Sequence, residues 1–228
     1  MRRLSNTFLM AALLFASAML WARTSDGRSV SSNQIGFYRV PLACPAARNL
    51  GCGSGAKPVL LALQKKDTIQ EAWLDHPGTT LAIVWNKGVG FNSRTAELQS
   101  VAEERGISLH ELMGAQRDEK LKSFKSRKGW YRGAEVDQLS EEEAMVIADR
   151  LIRRAATKAP TIAGKAEKLK LAVSQVIREQ LTGCTSTECR DNCHKKLVGI
   201  ARKELNDDEF NALIEAEKLG PRPVGDEQ

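Results

Sequence analysis

Two cysteines in a glycine-rich segment are the residues of this 228-residue chain whose types and spacing best suit chemistry. The segment covers residues 43–58, ACPAARNLGCGSGAKP, and contains Cys44 and Cys52. Glycines let the backbone turn freely, and the partial positive charge at the start of a following helix favours the thiolate of Cys52, the form of cysteine that attacks or coordinates. A flexible loop of this length also lets the two sulfur atoms meet.

Three interpretations of this pair are open. The thiols can form a disulfide that only staples the loop, or they can remain inert free cysteines. They can also hold a soft metal ion such as copper, mercury or zinc, or carry out redox chemistry, so Cys44 and Cys52 are the candidate metal ligands. The glycines do not form a phosphate loop, because the spacing G-x-x-x-x-G-K-[ST] is absent.

A second cysteine cluster, CTSTECRDNCH, covers residues 184–194. It is close to the haem motif C-x-x-C-H, but its longer spacer turns one thiol by about 100° on a helix, which disfavours haem. A zinc site is disfavoured because the adjacent residues Cys193 and His194 point in different directions from a helix. We favour one cysteine in the core and another bridged to Cys184. The disulfide candidates are Cys44, Cys52, Cys184, Cys189 and Cys193, so at least one thiol is unpaired within the chain.

The N-terminus predicts export. Arg2 and Arg3 precede an uncharged apolar run from Phe8 to Ala22, which is the outline of a signal peptide over residues 1–22. The run is shorter than the roughly 20 apolar residues that a spanning helix needs. We therefore expect a bacterial periplasmic or secreted protein, in which disulfides are permitted, with membrane contact only through an uncleaved N-terminal segment.

The composition predicts a folded protein without a nucleic-acid partner. A hydrophobic content of 42% is sufficient for a normal core. The 34 basic and 28 acidic side chains give a net charge of +6, which is typical of a mixed solvated surface.

The elements that position the first cysteine pair belong to a predicted α+β domain. Residues 23–34 are polar and serine-rich, which is typical of a linker, and the domain is expected over residues 35–113. Its predicted elements begin with a strand in which Tyr38, Val40 and Leu42 alternate with other residues, followed by a helix with Pro58 in its first turn that ends near Lys66. Residues 68–75 suit a strand or a helix, and we favour a strand that forms a hairpin with the strand over 80–85. A helix follows from about Thr95 to Arg105.

Residues 114–228 are predicted to form a second, helical domain, arranged as a bundle or as hairpins. Ser140 and Glu143 have the spacing of a capping box, so Glu141, Glu142 and Glu143 are interpreted as acids at a helix start. Pro160 ends that helix. The next helices carry apolar stripes that include Leu169 to Ile177, Cys189 to Ile200, and Phe210 to Ile214, the last of them capped near Asn206 or Asp207.

A basic and aromatic segment near the start of the helical domain is the candidate partner surface. It could meet an acidic partner, phospholipid or a cell-wall polymer, or it could be a solvated connector. Its residues are Lys125, Arg127, Lys128, Trp130 and Tyr131.

Over residues 35 to about 110, the order strand, cysteine loop, helix, hairpin and helix resembles the heavy-metal-associated domain of periplasmic mercury-binding proteins and copper chaperones. That resemblance implies a ferredoxin-like fold and a soft metal ion held in the loop before the first helix. The family holds its metal in C-x-x-C, whereas the matching position here contains Cys52, with Cys44 eight positions earlier, and no final strand is evident after Arg105. The segment CGSGAK is also similar to the active-site turn of glutaredoxins.

The first functional hypothesis is an exported thiol-bearing binding module. It captures or senses a soft metal ion through Cys44 and Cys52, and its helical domain binds a protein partner or a second copy. The second is an envelope structural or interaction protein whose cysteines are stapled or buried. A thiol oxidoreductase is the third, and it is the enzyme class expected if the protein is an enzyme.

Overall fold

The computed structural model describes residues 30–183 and 187–225. The predicted signal peptide and Cys184 lie outside these residues, and so does the side chain of Cys189. The described residues form seven α-helices and one five-stranded antiparallel sheet. This mixture of helix and strand agrees with the predicted α+β class.

The sheet has the strand order β4-β1-β3-β2-β5, and every neighbouring pair is antiparallel. The apolar run of β3 is buried along its whole length because it is the central strand. The strands are β1 (Ile35–Arg39), β2 (Ile69–Asp75), β3 (Thr80–Trp85), β4 (His110–Glu111) and β5 (Trp130–Tyr131).

The helices alternate with the first strands and then continue alone to the C-terminal end of the described chain. Helix α4 packs on both α5 and α7, α6 also packs on α5 and α7, and α1 packs on both α2 and α4. The helices are α1 (Gly53–Gln64), α2 (Phe91–Arg105), α3 (Gly114–Phe124), α4 (Asp137–Lys158), α5 (Ala166–Gly183), α6 (Thr187–Glu204) and α7 (Asp207–Lys218).

Several sequence predictions are confirmed at the level of single elements. The β2–β3 hairpin forms where it was expected, α4 ends before Pro160, and α5 covers the predicted residues. The cap of α7 is Asn206, which forms a capping box with Glu209.

Two short strands correct the sequence-based interpretation. Strand β4 follows α2, where no strand was predicted, and β5 lies within residues predicted to be wholly helical. Each has two residues, which is too short for an alternating pattern to be visible in the sequence. Because β5 pairs with β2, the predicted boundary at residue 113 falls inside the part of the chain that forms the sheet.

Three helix starts also differ from the predictions, and one of them is that of α2, which begins at Phe91 and not near Thr95. Helix α1 begins at Gly53, so Pro58 lies in its second turn, on the exposed side of the helix, and not in its first turn. Helix α4 begins at Asp137 after Val136, and no side chain caps it. The predicted capping box of Ser140 and Glu143 is therefore wrong, and both residues lie buried inside the helix.

The two faces of the sheet are covered differently. Tyr38 points into the main core, which is continuous from α1 to α4, α5 and α7. Phe37 points to the opposite face, because successive side chains of a strand alternate, and there its ring lies 5.7 Å from that of Phe124 in α3. Within the described residues, no helix combines the length and the apolar composition needed to cross a membrane.

Candidate thiol site

The loop between β1 and α1 folds back on itself and brings the two cysteines close together. Ala43 and Gly51 form an antiparallel bridge, flanked by hydrogen bonds from the Cys44 amide to the Leu50 carbonyl (2.7 Å) and from the Cys52 amide to the Leu42 carbonyl (2.8 Å). In this register Cys44 and Cys52 are diagonal neighbours on one face of the bridge. Diagonal neighbours in a regular ladder have Cα atoms roughly 7–8 Å apart.

Cys52 is the residue immediately before α1. Its backbone is extended, and its side chain makes no capping hydrogen bond. The sulfur lies 3.4 Å from the Ser54 hydroxyl, over the first turn of the helix, and the residue is partly exposed. This thiol is therefore reachable from solvent at the N-terminus of a helix.

Cys44 lies in a different environment, because it is 7% exposed and contacts Glu143 of α4. The pKa of the Cys44 thiol is raised to about 12, mainly by burial and then by the carboxylate of Glu143, which accepts a hydrogen bond from the thiol and repels the thiolate. The Ala46 amide donates a hydrogen bond to the sulfur (3.3 Å), which acts in the opposite direction. Cys44 is thus a protonated thiol at neutral pH.

Glu143 and Ser140 are residues of this site that sequence reasoning missed. Glu143 is 5% exposed and its Oε2 atom has no hydrogen-bond partner, and the buried hydroxyl of Ser140 has none either. Burial raises the pKa of Glu143, whereas the hydrogen bond from Cys44 lowers it. The sequence did contain a signal, because Glu143 lies four residues before Ile147 and so falls on the apolar stripe of α4.

The glycines of the loop allow close packing. A Cβ atom on Gly53 would overlap the Ser140 hydroxyl and the Val136 carbonyl of α4. Gly78, in the β2–β3 turn, has a φ of +71°, and a Cβ there would lie 2.5 Å from the Cα of Gly51. The cysteine loop is therefore held between the β2–β3 turn and α4. A side chain at Gly53 or Gly78 would push the loop away from α4 or from the turn.

His76 links the same three elements at the surface. Its Nε2 lies 2.8 Å from Glu142 of α4, and its Nδ1 lies 3.1 Å from the carbonyl of Asn49 in the cysteine loop. The Gly51 amide donates to the His76 carbonyl (2.6 Å). The glutamates of residues 141–143 were predicted to form one acidic cluster at a helix start, yet Glu142 faces His76 and Glu143 faces Cys44.

The chemistry available at this site is that of two thiols. Cys44 and Cys52 are free thiols in the structure, and so is Cys193. Within residues 30–183 and 187–225, His, Cys, Asp and Glu side chains form no group of three or more that could hold a metal ion. A metal at the loop would therefore have the two sulfurs as its protein ligands, which suits a soft ion that accepts low coordination.

Two adjacent residues of the second cysteine cluster, Cys193 and His194 of α6, face different helices. The Cys193 thiol donates to the Val176 carbonyl of α5 (3.8 Å), and burial raises its pKa. His194 points to α7, where its Nδ1 lies 2.9 Å from the carboxylate of Glu217. These adjacent side chains diverge, as the sequence predicted. The disulfides proposed for this cluster involve Cys184 and Cys189. Because Cys184 and the side chain of Cys189 lie outside the described residues, these disulfides stay predictions.

One residue of the candidate partner surface, Trp130, is buried. Trp130 is 5% exposed, because its ring packs on Phe124 (5.0 Å between centroids) and on Phe37 (6.0 Å), so it is not available on the surface. Arg127 lies over the Phe124 ring, with its Cζ 3.5 Å from the centroid, and is half buried. The exposed residues of the surface are Lys125 and Lys128, and contact of this segment with a partner stays a prediction.

Comparison with known proteins adds no relative. No protein-family model, no curated protein and no solved structure matches this chain. Function is therefore inferred from the geometry and chemistry of the site itself.

Proposed function

We propose that this protein is an exported binding module that captures or senses a soft metal ion, Cu(I) or Hg(II), between Cys44 and Cys52. The observation that carries this proposal is the Ala43–Gly51 bridge, which holds the two thiols on one face of the loop directly before α1. The export signal expected from residues 1–22 supplies the location, since copper and mercury are encountered in the bacterial envelope before they reach the cytoplasm.

We also propose that the sheet and its first two helices form a ferredoxin-like domain. In the order β4-β1-β3-β2, helix α1 connects two strands that are separated by a third, and α2 does the same. Two such split βαβ units are the plan of a ferredoxin-like domain, which is the fold implied by the resemblance to heavy-metal-associated domains. Strand β5 would then be an addition at the β2 edge of the sheet.

The register of the Ala43–Gly51 bridge, in which Cys44 and Cys52 are diagonal neighbours, favours a bridging ion over a direct disulfide. Most disulfides join Cα atoms about 4.4–6.8 Å apart, whereas diagonal neighbours lie roughly 7–8 Å apart. A thiolate metal bridge has two metal–sulfur bonds of about 2.3 Å each where a disulfide has one S–S bond of about 2.05 Å, so it covers a longer distance. Each thiol gives up its proton on binding, because the thiolate is the ligand.

One observation favours the second hypothesis, an envelope structural or interaction protein with inert cysteines. Cys44 is buried, and its pKa of about 12 keeps it protonated in the free protein. Metal binding must displace that proton and overcome the contact with Glu143. An inert thiol would have the same surroundings, so binding measurements are required to choose between the two functions.

A titration with Cu(I) tests the proposal. The reduced mature protein would be titrated without oxygen against a chromophoric Cu(I) chelator, in parallel with Cys44→Ser, Cys52→Ser and the control Cys193→Ser. We expect the wild type and Cys193→Ser to bind one more Cu(I) than either loop variant. If Cys52→Ser binds as much Cu(I) as the wild type and with the same affinity, the metal function is wrong and the scaffold function is favoured. Free-thiol counts with and without reductant identify any disulfide.

A further inference from the structure

A cleft of about 540 Å³ lies between α3 and the ends of β1 and β4, on the sheet face opposite α1. This volume is in the range of small-molecule sites. Its apolar wall is made of Val40, Pro41, Ala43 and Leu112. Neither Cys44 nor Cys52 lines it, so it is separate from the thiol site although the two share the loop after β1.

The strand side of the cleft contains an unpaired cation. Arg39 is exposed at the end of β1 and lies opposite His110 of β4 in the sheet register, so both side chains are on the same face. Within the described chain, Arg39 forms no ion pair. Lys120 of α3 also lines the cleft, but its charge is matched by the buried carboxylate of Asp75 at 2.8 Å. The free positive charge is therefore that of Arg39, whose planar guanidinium suits a carboxylate.

The helix side contains an unpaired anion. Glu119 of α3 lines the same cleft and is exposed, and it forms no ion pair with any described residue. Arg39 and Glu119 face one cleft without pairing with each other. A ligand placed between them can satisfy both only if it has an anionic group at one end and a hydrogen-bond-donating cation at the other. A dianion such as phosphate is disfavoured by the charge of Glu119.

From this arrangement we propose that the cleft binds a zwitterionic small molecule of the amino-acid or short-peptide class. Its carboxylate contacts Arg39, its ammonium group contacts Glu119, and its side chain lies on the wall formed by Val40, Pro41 and Leu112. Hydroxyl groups of Thr80 and Ser108 at the cleft offer further hydrogen bonds to the polar end of the ligand. This assignment does not depend on metal binding at the cysteines.

The test uses L-leucine as the probe, with two analogues that each lack one charge. N-acetyl-leucine has no ammonium group and leucinamide has no carboxylate. Titration of the ¹⁵N-labelled protein, followed by amide shifts, should give saturable shifts around residues 39–43 and 108–112 with leucine. Each analogue should bind about tenfold more weakly or worse, since each loses a charge-assisted hydrogen bond.

Three variants assign the two contacts. Arg39→Gln should remove the preference for leucine over leucinamide, and Glu119→Gln should remove the preference for leucine over N-acetyl-leucine. Lys122→Gln removes an exposed charge of α3 that does not line the cleft, so it should leave all three affinities unchanged. Unchanged amide shifts elsewhere in the spectrum show that each variant is folded. The proposal is overturned if leucine gives no saturable shift, if the analogues bind as well as leucine, or if Arg39→Gln keeps the preference for leucine.

Discussion

The thiol of Cys44 donates a hydrogen bond to the carboxylate of Glu143, so the loop that precedes α1 and the helix α4 share one buried polar contact. This contact joins a loop next to the sheet to the C-terminal helices. It makes the two candidate ligands unequal, because Cys52 is partly exposed and its sulfur lies beside the Ser54 hydroxyl.

The first prediction concerns thiol reactivity. At pH 8 a thiol with a pKa of about 12 is about one part in ten thousand thiolate, so Cys44 should be alkylated by iodoacetamide much more slowly than Cys52. Glu143→Gln removes the anion beside the thiol and should shift the pH profile of Cys44 alkylation to lower pH. Mass spectrometry of quenched samples measures both rates.

The matched control is Ser140→Ala, which removes a buried hydroxyl of the same helix that has no hydrogen-bond partner. It should leave the pH profile of Cys44 unchanged. Equal rates for the two cysteines in the native protein would show that Cys44 is not shielded as the structure describes.

The second prediction concerns glycines in the first turn of α1. Gly53→Ala should lower the free energy of unfolding by about 1–3 kcal/mol, because the new methyl group overlaps Ser140 and Val136 of α4. Gly55→Ala is the matched control. Its Cβ would lie 3.4 Å from the Cys52 sulfur, an ordinary contact, and alanine is the better helix former. Urea denaturation should show Gly55→Ala to be neutral or stabilising, and equal losses in both variants would contradict the packing described here.

The third prediction concerns acid stability. Hydrogen bonds from Lys165 (2.6 Å) and Thr161 lower the pKa of Glu209 from 4.5 to about 2. Because the folded state favours the ionised form, this stabilisation is fully present above about pH 4.5 and is lost as the pH falls toward 2. Glu209→Gln should therefore destabilise the protein at pH 7 and have much less effect near pH 2.

Urea midpoints at several pH values measure how the stability difference between the wild type and Glu209→Gln shrinks as the pH falls. Asp208→Asn is the control, because Asp208 is the adjacent exposed acid and forms no ion pair within the described residues. A constant difference between Glu209→Gln and the wild type from pH 7 to pH 2 would show that the effect is not electrostatic.

The fourth prediction tests the correction made for the aromatic segment. Trp130→Ala should destabilise the protein by about 3–5 kcal/mol, as expected for a large aromatic residue removed from a packed cluster. Lys128→Ala changes an exposed neighbour and should have an effect within about 0.5 kcal/mol. If the thermal midpoint of Trp130→Ala equals that of the wild type, the residue is a surface residue after all.

Much of the secondary structure could be predicted because its signals are local. The buried run of β3, the stop at Pro160 and the cap at Asn206 depend on neighbouring residues. Strands β4 and β5 could not be predicted, since two-residue strands exist only through pairing with β1 and β2. The start of α4 was misplaced because a plausible capping spacing at Ser140 occurred inside a longer helix.

The candidate site was predicted in part. Sequence reasoning selected Cys44 and Cys52 from their composition and spacing, and it placed Cys52 in the loop before the first helix, whereas the structure begins α1 directly after Cys52. It assigned a favoured thiolate to Cys52 but said nothing of the separate, buried environment of Cys44. Glu143 was interpreted as an acid at a helix start, although its position on the apolar stripe of α4 indicated burial.

By itself the sequence determined the three longer strands and most of the helices, where several of them end, and which two thiols share a loop, because those properties follow from side-chain periodicity and backbone preference over a few residues. The tertiary structure alone decided that the loop folds under α4, that Glu143 lies against one thiol and not the other, and that Arg39 and Glu119 face one cleft. These relationships join residues far apart in the chain, and they arise from packing that no local pattern encodes.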